Sequence, residues 1–299
     1  MFRALVGPTA SGKTEAGIAL AITLDAEILS VDSMLVYRGM DIGTAKPTAS
    51  QRAAVPHHLL DLAEPSERFT VARFQTEAHA VLGRVAAPLL VGGSGLYFRA
   101  VADDLRFPPE DAAVRAALEA EADELGADEL YRRLADSDPV AADRIEPGNV
   151  RRTIRALEVT AITGAPFSDF AAAWDVYDPA RVRVAGIRMD TATIDARVRG
   201  RVAAMLEAGW LEEVRSLLER GFGAWLTASQ AIGYAELAAH LDGRLALDEA
   251  MTQTVKRTKE LARRQSAWFR RDPRIRWFDA GEGGAIEVVP DVRSFLEAV

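Results

Sequence analysis

The chain has 299 residues, of which 49% are hydrophobic, and a formal net charge of -8. It is long enough for one large domain or for a core with a smaller appendage. No apolar run reaches the roughly 18 residues of a membrane span, and the N-terminus leads directly into a glycine-rich motif, so we expect a cytoplasmic protein without membrane segment or signal peptide. The sequence contains no Cys, which excludes disulfides, thiolate nucleophiles and Cys-based zinc sites.

The most informative motif fits the P-loop pattern G-x-x-x-x-G-K-[ST]. It consists of Gly7, Pro8, Thr9, Ala10, Ser11, Gly12, Lys13 and Thr14. An apolar run (2–6) precedes it and a helix-like segment (14–24) follows, which is the strand-loop-helix context that a P-loop needs. We predict a polyphosphate ligand that is neutralised by Lys13, with a Mg²⁺ ion held by the Thr14 hydroxyl. Lys13 is one of only four lysines among 36 basic residues, so a Lys here is unlike the chain's usual choice of Arg.

A second buried strand is predicted over 27–31, with Asp32 and Ser33 at its carboxyl end. Ligands bind at that edge in open α/β sheets. Asp32 is therefore a candidate Mg²⁺ ligand or general base, although it is equally suited to cap the next turn. The stretch 34–47 is loop-like and polar, and such loops beside a P-loop usually contact substrate.

Another helix is predicted over 70–84 and a third strand over 88–91, which runs into a second glycine-rich turn at 92–97. This turn also follows the carboxyl end of a strand, so we expect it to face the P-loop across the site. His57 and His58 lack the spacing and partners of a metal site. Packing or hydrogen-bonding roles are expected for both.

The character of the sequence changes near two consecutive prolines. We predict a P-loop core over 1–108 and 182–299, interrupted by an all-helical insertion over 109–181. The first part of the insertion is rich in Ala and acidic residues, as in a solvated helix face. A further helix is predicted over 149–163.

Two arginine pairs have alternative roles. Arg151 and Arg155 lie four residues apart on one predicted helix face, where they could contact phosphate or pair with Glu158. Arg197 and Arg201 share a face of a long helix that is predicted over 194–218, after a strand at 182–187. One of them could reach the polyphosphate, or both could pair with nearby carboxylates on the surface.

The segment 255–276 contains nine Lys and Arg residues but only two acidic ones. Trp268, Phe269 and Trp277 lie among these charges, and the aromatic rings could instead belong to the core. Such a local excess of positive charge in an acidic protein is typical of a surface that follows a nucleic-acid backbone.

Together these motifs resemble the tRNA dimethylallyltransferases. The resemblance is carried by residues 7–14, 32–33, 36–39, 41–47, 56–59, 91–97, 155–159, 230–234, 263–265 and 268–270. Several independent motifs in the same order cover nearly the whole chain, which is more specific than a P-loop alone. Two positions depart from the family pattern: Leu35 stands where the family usually has Gln, and Ser94 where it usually has Thr.

The resemblance implies an α/β fold and a channel that admits dimethylallyl diphosphate from one side and a flipped adenine from the other. It implies that residues 7–14 bind the diphosphate with Mg²⁺, and that Asp32 takes a proton from the adenine N6. The catalytic residues it implies are Asp32, Thr9, Ser94 and Arg201. Contacts with tRNA are expected from Asp32, Ser33, Met34, Leu35, Ser94, Arg115, Arg151, Arg152 and Arg155. A monomer is expected.

Three other functions are compatible with parts of the sequence. A small-molecule kinase also needs a P-loop, Mg²⁺ and an Asp near the phosphates, but not the basic C-terminal segment. Prenyl transfer to free AMP or ADP needs neither that segment nor the insertion. An RNA-binding protein without catalysis would not need Lys13, Thr14 and Asp32 together.

Overall fold

The computed structural model describes residues 1–103, 105–225 and 227–298. The chain divides into two compact units, the first formed by residues 1–104 and 178–299 and the second by residues 105–177. The insertion predicted from the sequence, 109–181, begins and ends four residues later than the second unit. We describe the two units separately.

The first unit is built on a parallel sheet of six strands within the described residues, in the order β3-β2-β4-β1-β5-β6. The strands are β1 (Phe2–Val6), β2 (Glu27–Ser30), β3 (His57–His58), β4 (Pro88–Gly92), β5 (Val182–Arg188) and β6 (Ile275–Asp279). Four of them confirm the predicted strands. Together with the helices on both faces, they confirm the α/β fold class with a parallel-sheet core.

Nine helices of the described residues surround this sheet. They are α1 (Lys13–Thr23), α2 (Ala49–Ala54), α3 (Val71–Leu82), α4 (Gly95–Ala102), α9 (Thr191–Glu207), α10 (Trp210–Glu219), α11 (Tyr234–Leu241), α12 (Leu247–Phe269) and α13 (Val289–Glu297). Short 3-10 helices lie at Phe222–Ala224, Ala228–Gln230 and Ala285–Val288. In the described part of the chain, no helix is long and apolar enough to cross a membrane.

The two faces of the sheet have separate cores because successive side chains of a strand point to opposite sides. Ala4 and Val6 of β1 belong to the larger core, which α3, α9 and α12 cover. Leu5 belongs to the smaller core, where it packs with residues of α1 and α13. The strands β1, β2, β4 and β5 are therefore buried on both faces, which explains why these four appear in the sequence as largely apolar runs.

The prediction of one long helix over 194–218 is wrong. The structure has two helices, α9 and α10, and the chain turns at Gly209, whose φ is 97°. This left-handed conformation suits glycine and breaks the helix. The apolar spacing continues across the turn because both helices pack on the same core.

In the second unit, all regular secondary structure of the described residues is helical. It contains α5 (Ala112–Leu125), α6 (Ala127–Ser137), α7 (Pro139–Arg144), α8 (Val150–Thr163) and a 3-10 helix at Phe167–Asp175. Its own core includes Leu130 and Leu134 of α6 and Ile154 of α8, all of them buried. The Asp111 and Asn149 side chains cap the first turns of α5 and α8. The all-helical character of the insertion is thus as predicted.

Candidate active site

The P-loop lies between β1 and α1, and its backbone conformation is unusual. Gly12 precedes α1 with φ 83°, and Ala10 is one of the few non-glycine residues with positive φ, at 64°. The first-turn N–H groups of α1 have no side-chain cap. An uncapped helix start presents donors and a positive dipole end, which is a suitable site for an anion.

Two cations lie at this loop. The Lys13 ammonium donates to the Pro8 carbonyl, and its Nζ is 3.4 Å from the Ser11 Oγ. Arg201, on α9, donates from Nη1 to the Thr9 Oγ1 over 3.2 Å. Of the two arginines of α9, Arg201 is thus the one that contacts the Thr9 side chain, and its contact with the polyphosphate stays a prediction. Thr14 lies in the first turn of α1 and lines the same cleft.

Asp32 lies at the same edge of the sheet, just after β2. Its Oδ1 accepts the Met34 N–H at 2.9 Å, so it does form the predicted turn contact. Ser94, which follows β4, accepts the Ser33 N–H at its Oγ over 3.3 Å. The carboxyl ends of two adjacent strands thereby bring the Asp32–Ser33 turn and Ser94 together.

The electrostatics of these groups are coupled. Burial in the cleft, reinforced by the neighbouring Arg201, lowers the pKa of Lys13 to about 7, although Asp32 and Glu15 act in the opposite sense. Burial raises the pKa of Asp32, while the Met34 amide, Lys13 and Arg201 oppose that rise. Perturbed acids and bases that face each other in a cleft are typical of a catalytic site.

A third loop of the cleft is held by one carboxylate. Glu213 of α10 accepts the backbone N–H groups of Asp41 and Ile42, both at 2.8 Å, and that of Gly43 at 3.2 Å. The Tyr234 hydroxyl also donates to Glu213, over 2.6 Å. The Glu213 carboxylate therefore fixes the loop 41–43, whose three residues line the cleft.

Lys46 is a buried lysine with a structural role. Its Nζ donates to the Tyr37 carbonyl over 2.6 Å, to the Asp61 carboxylate over 2.7 Å and to Asp41 over 2.6 Å. With three acceptors satisfied, this ammonium closes the loop rather than serving a ligand.

The helix α12 contributes a contact that the sequence did not indicate. The Gln265 Oε1 accepts the Thr9 N–H at 2.7 Å, across 256 residues of sequence. A side chain on Gly93 would approach the Gln265 amide within 2.6 Å, and one on Gly95 would overlap the Trp268 indole. The second glycine-rich turn thus needs glycine because α12 packs closely against it. Gln265 links the P-loop to this helix.

The cleft encloses about 1240 Å³ and is lined entirely by residues of the first unit. Thr9, Lys13, Asp32, Met34 and Arg201 line it. So do Leu35 and a set of residues from α9, α10 and α12, which includes Met205, Trp210, Arg257, Leu261 and Arg264. A site of this size that is lined by both charged and apolar side chains suits a phosphorylated, partly apolar substrate.

The basic segment at the C-terminal end is only partly a surface. Lys256, Arg263 and Arg264 are exposed on α12. Arg274, in contrast, is buried and pairs with Asp272 and with Asp103. Its charge is used inside the protein, so Arg274 is not available to the nucleic-acid surface that the sequence predicts.

The arginines predicted in the insertion fall into two groups. Arg151 and Arg152 are exposed on α8, and no ion pair involves them within the described residues. Arg115 and Arg155 both donate to the fully buried Glu158, over 2.6 and 2.9 Å. For Arg155, the Glu158 ion pair left open by the sequence is therefore formed.

Glu158 provides a test of this structural role. Burial acts against its charge, but hydrogen bonds from Arg115, the Asp111 amide and Arg155 prevail and lower the pKa of Glu158. Replacing Glu158 with Gln should destabilise the protein by about 1–3 kcal/mol near neutral pH. A lowered native pKa stabilises the fold above the ordinary Glu pKa of about 4.3 and ceases to do so as the pH falls through the native value. The loss of unfolding free energy in the variant, relative to the unaltered protein, should therefore become smaller as the pH is lowered.

Urea unfolding of Glu158→Gln and of the exposed control Glu124→Gln, followed from neutral pH down to the acid limit of stability, measures this effect. A deficit that is the same at every pH would contradict an ionised Glu158 in the native state.

Lys13 predicts a pH dependence for anion binding. With a pKa of about 7 in the free protein, Lys13 loses its charge as the pH rises above neutrality, and a bound anion favours the charged form. Binding of inorganic diphosphate without Mg²⁺ should therefore weaken by up to about tenfold for each pH unit above 7.

The Lys13→Arg variant is the matched control because its side chain stays charged throughout. Its affinity should follow only the ionisation of diphosphate itself, so the ratio of the two dissociation constants should change with pH. A constant ratio between pH 7 and 9 would contradict the lowered pKa.

Comparison with known proteins agrees with this arrangement. The family model described as IPP transferase matches residues 35–272. A tRNA dimethylallyltransferase of Desulforudis audaxviator is 46% identical, with 98% of this chain and 96% of the relative covered. One from a Nocardioides species is 48% identical, covering 95% and 93%. The crystal structure of a tRNA isopentenylpyrophosphate transferase from Bacillus halodurans superimposes with a TM-score of 0.71 at 38% identity, covering 99% and 95%. The chain therefore belongs to the IPP transferase family, the tRNA dimethylallyltransferases.

Proposed function

We propose that this enzyme transfers the dimethylallyl group of dimethylallyl diphosphate to N6 of the adenosine on the 3′ side of the anticodon in tRNA, releasing diphosphate. The observation that carries the proposal is the cleft in which Lys13 and Arg201 stand at the P-loop and Asp32 lies beside them. Cations for a leaving group and a base for a nucleophile are thus present in one cavity. We also propose that the enzyme works as a monomer in the cytoplasm, where its tRNA substrate is.

The leaving group carries most of the charge that the transition state must stabilise. As the allylic C–O bond breaks, negative charge develops on the diphosphate. Lys13, the N–H groups at the start of α1 and the Arg201 guanidinium are placed to stabilise it. Thr9 holds Arg201 through its hydroxyl, which orients the guanidinium toward the same oxygens.

The donor groups present also fit a Mg²⁺ ion of the kind that substrate phosphates hold. Among the described residues, no cluster of three His, Cys, Asp or Glu side chains forms a metal cage. Mg²⁺ in phosphate sites usually takes only one or two protein ligands. The Thr14 hydroxyl would hold the ion. When bound, Mg²⁺ would supply further charge neutralisation for the diphosphate.

The acceptor nitrogen needs a base because its lone pair is delocalised into the adenine ring. Asp32 would accept the N6 proton as the new C–N bond forms, and burial, by raising its pKa, makes the carboxylate a better proton acceptor. Ser33 and Ser94, joined by a hydrogen bond, support the turn that presents Asp32.

The tRNA side of the proposal rests on charge and on the relatives. Arg264 is exposed and lines the cleft, and Lys256 and Arg263 lie on the same helix. Arg151 and Arg152 of the insertion remain candidates for phosphate contact, as do Arg115 and Arg155 beyond their pairing with Glu158. Flipping an adenine out of a loop that is already single-stranded costs least.

An acceptor comparison tests the proposal. The enzyme is incubated with labelled dimethylallyl diphosphate and either tRNA that lacks the modification, AMP, ADP or no acceptor, and the labelled product is counted. We expect label in tRNA alone. Label in AMP or ADP would favour the nucleotide-prenylating alternative. No label in any acceptor, together with phosphate transfer in a parallel incubation with ATP, would favour a kinase.

Leu35 provides a prediction about base recognition. It lines the cleft, and the family amide is missing here. Restoring it with Leu35→Gln should add one or two hydrogen bonds to the flipped adenine or its neighbour, each worth about 0.5–1.5 kcal/mol. We therefore expect a gain of a few-fold to about tenfold in kcat/KM for tRNA.

Turnover at saturating tRNA should change less, because the added contact acts on binding. Affinity and kcat/KM of the two proteins are compared on the same tRNA, with Leu35→Met as a control for side-chain size. A clear loss in the Gln variant would mean that the pocket has been rebuilt around Leu35 and that the new amide is left unsatisfied.

A further inference from the structure

Two carbonyl groups of the P-loop accept hydrogen bonds from residues outside the proposed catalytic set. For the loop N–H groups to point at an anion, neighbouring carbonyl groups must point away from it. Two of these carbonyls have partners: Ala10 O accepts from Arg197 Nε over 2.7 Å, and Ser11 O accepts from the Ala285 N–H over 2.8 Å. Ala10 is also the residue with φ 64°, a conformation that costs an alanine about 1 kcal/mol or more.

Arg197 connects this loop to a distant segment. Its Nη1 donates to the Glu282 carbonyl over 2.7 Å, so one guanidinium bridges two backbone oxygens. The segment itself is folded by Glu287, whose carboxylate accepts the Gly281 N–H at 2.7 Å and the Gly283 N–H at 2.8 Å. We call Arg197 together with residues 281–287 the P-loop brace.

The approach of the brace is close. A Cβ on Gly284 would lie 2.8 Å from Arg197 Nη2, and one on Gly12 would lie 3.1 Å from the Ala285 nitrogen. The two glycines therefore leave the room that the bridge occupies. The planar guanidinium reaches the two carbonyls from two different nitrogens, Nε and Nη1, whereas the three donors of an ammonium all diverge from one nitrogen.

We propose that Arg197 is a positioning residue for diphosphate binding. It acts by holding the P-loop backbone through the Ala10 carbonyl and linking it to the Glu282 carbonyl, rather than by touching the diphosphate. Arg197 and Arg201 both line the cleft, but their partners differ. Arg201 donates to the Thr9 side chain, whereas Arg197 uses Nε and Nη1 on the backbone carbonyls of Ala10 and Glu282. The proposal rests on the diphosphate-binding role proposed above for the P-loop.

The test compares Arg197→Lys, Arg197→Ala and Glu287→Gln with a control, Arg199→Ala, which removes an exposed charge from the same helix. Affinity is measured for an unreactive thio analogue of dimethylallyl diphosphate and, separately, for tRNA, together with kcat, KM and the melting temperature. Both Arg197 variants should weaken analogue binding and raise the KM for the donor by about 10- to 100-fold, the range expected for lost charge-assisted hydrogen bonds. tRNA affinity should be unchanged, and kcat at saturating donor should fall by less than about threefold.

Two features separate a brace from a direct contact. If Arg197 holds the backbone, the Lys variant should bind the analogue as poorly as the Ala variant, because one ammonium nitrogen replaces the two separate nitrogens that reach the Ala10 and Glu282 carbonyls. Glu287→Gln should also weaken binding of the analogue. In the double variant with Arg197→Ala, the loss of binding free energy should be smaller than the sum of the two single losses, because both residues act through one segment.

Near-normal analogue binding by Arg197→Lys would overturn the proposal, since it would show that the charge alone matters. Equal losses of tRNA and analogue affinity, or full additivity with Glu287→Gln, would overturn it too. Failure of the unaltered enzyme to bind the analogue would refute the proposed function itself. Normal binding by the Arg197 variants would refute only the brace.

Discussion

Replacing Asp32 with Asn should lower kcat by about 10²-fold or more, the contribution expected from a general base. The amide keeps the shape of the side chain and still accepts the Met34 N–H that holds the turn, so the fold and the binding of both substrates should persist. What is lost is the ability to accept the N6 proton. Dissociation constants for the thio analogue and for tRNA, measured beside single-turnover rates, separate binding from chemistry.

The pH profile gives a second readout of the same residue. Asp32 must be ionised to act as a base, so kcat/KM should fall as the pH drops through its raised pKa. The Asn variant should lack this acidic limb. Near-normal turnover in the variant, or an unchanged limb, would remove Asp32 from the mechanism.

Replacing Arg201 with Ala should reduce kcat by about 10²- to 10³-fold, as does removing a single oxyanion donor elsewhere. The guanidinium lies half-buried beside Thr9, where its charge is less screened than on an open surface. Its effect should grow as charge develops on the leaving diphosphate, so kcat should suffer more than donor affinity.

Arg197 and Arg199 supply the contrast for this variant. Arg197→Ala should act mainly on donor affinity and Arg199→Ala on neither quantity, although all three changes remove one positive charge from α9. If Arg201→Ala lost donor affinity with kcat intact, Arg201 would be a binding group and not a group that stabilises the transition state.

The sequence predicted best what depends on neighbours along the chain. The P-loop, the strand before it and the helix after it are all encoded within 24 residues, and the apolar runs of β2, β4 and β5 follow from burial on both faces. Because the carboxyl ends of parallel strands share one edge, the sequence also predicts that Asp32 and the second glycine-rich turn lie at the same edge of the sheet as the P-loop.

The contacts that could not be predicted join residues far apart in the chain. Gln265 reaches the Thr9 N–H across 256 residues, and Arg197 reaches the Glu282 carbonyl across 85. The sequence does not predict β6, because its Arg276 and the preceding Arg274 resemble part of a basic surface, whereas the Arg274 side chain is buried and pairs with Asp103 and Asp272. Gly209 was passed over because the apolar stripe continued on both sides of the turn.

The most direct test of the account is nucleoside analysis of the product. Unmodified tRNA is incubated with the enzyme and dimethylallyl diphosphate, released diphosphate is counted, and the digested tRNA is analysed by mass spectrometry with site mapping. We expect one N6-dimethylallyl adenosine beside the anticodon for each diphosphate released. Both products should be nearly absent for Asp32→Asn. Release of diphosphate without prenylated adenosine, or a prenyl group on another atom or position, would contradict the account.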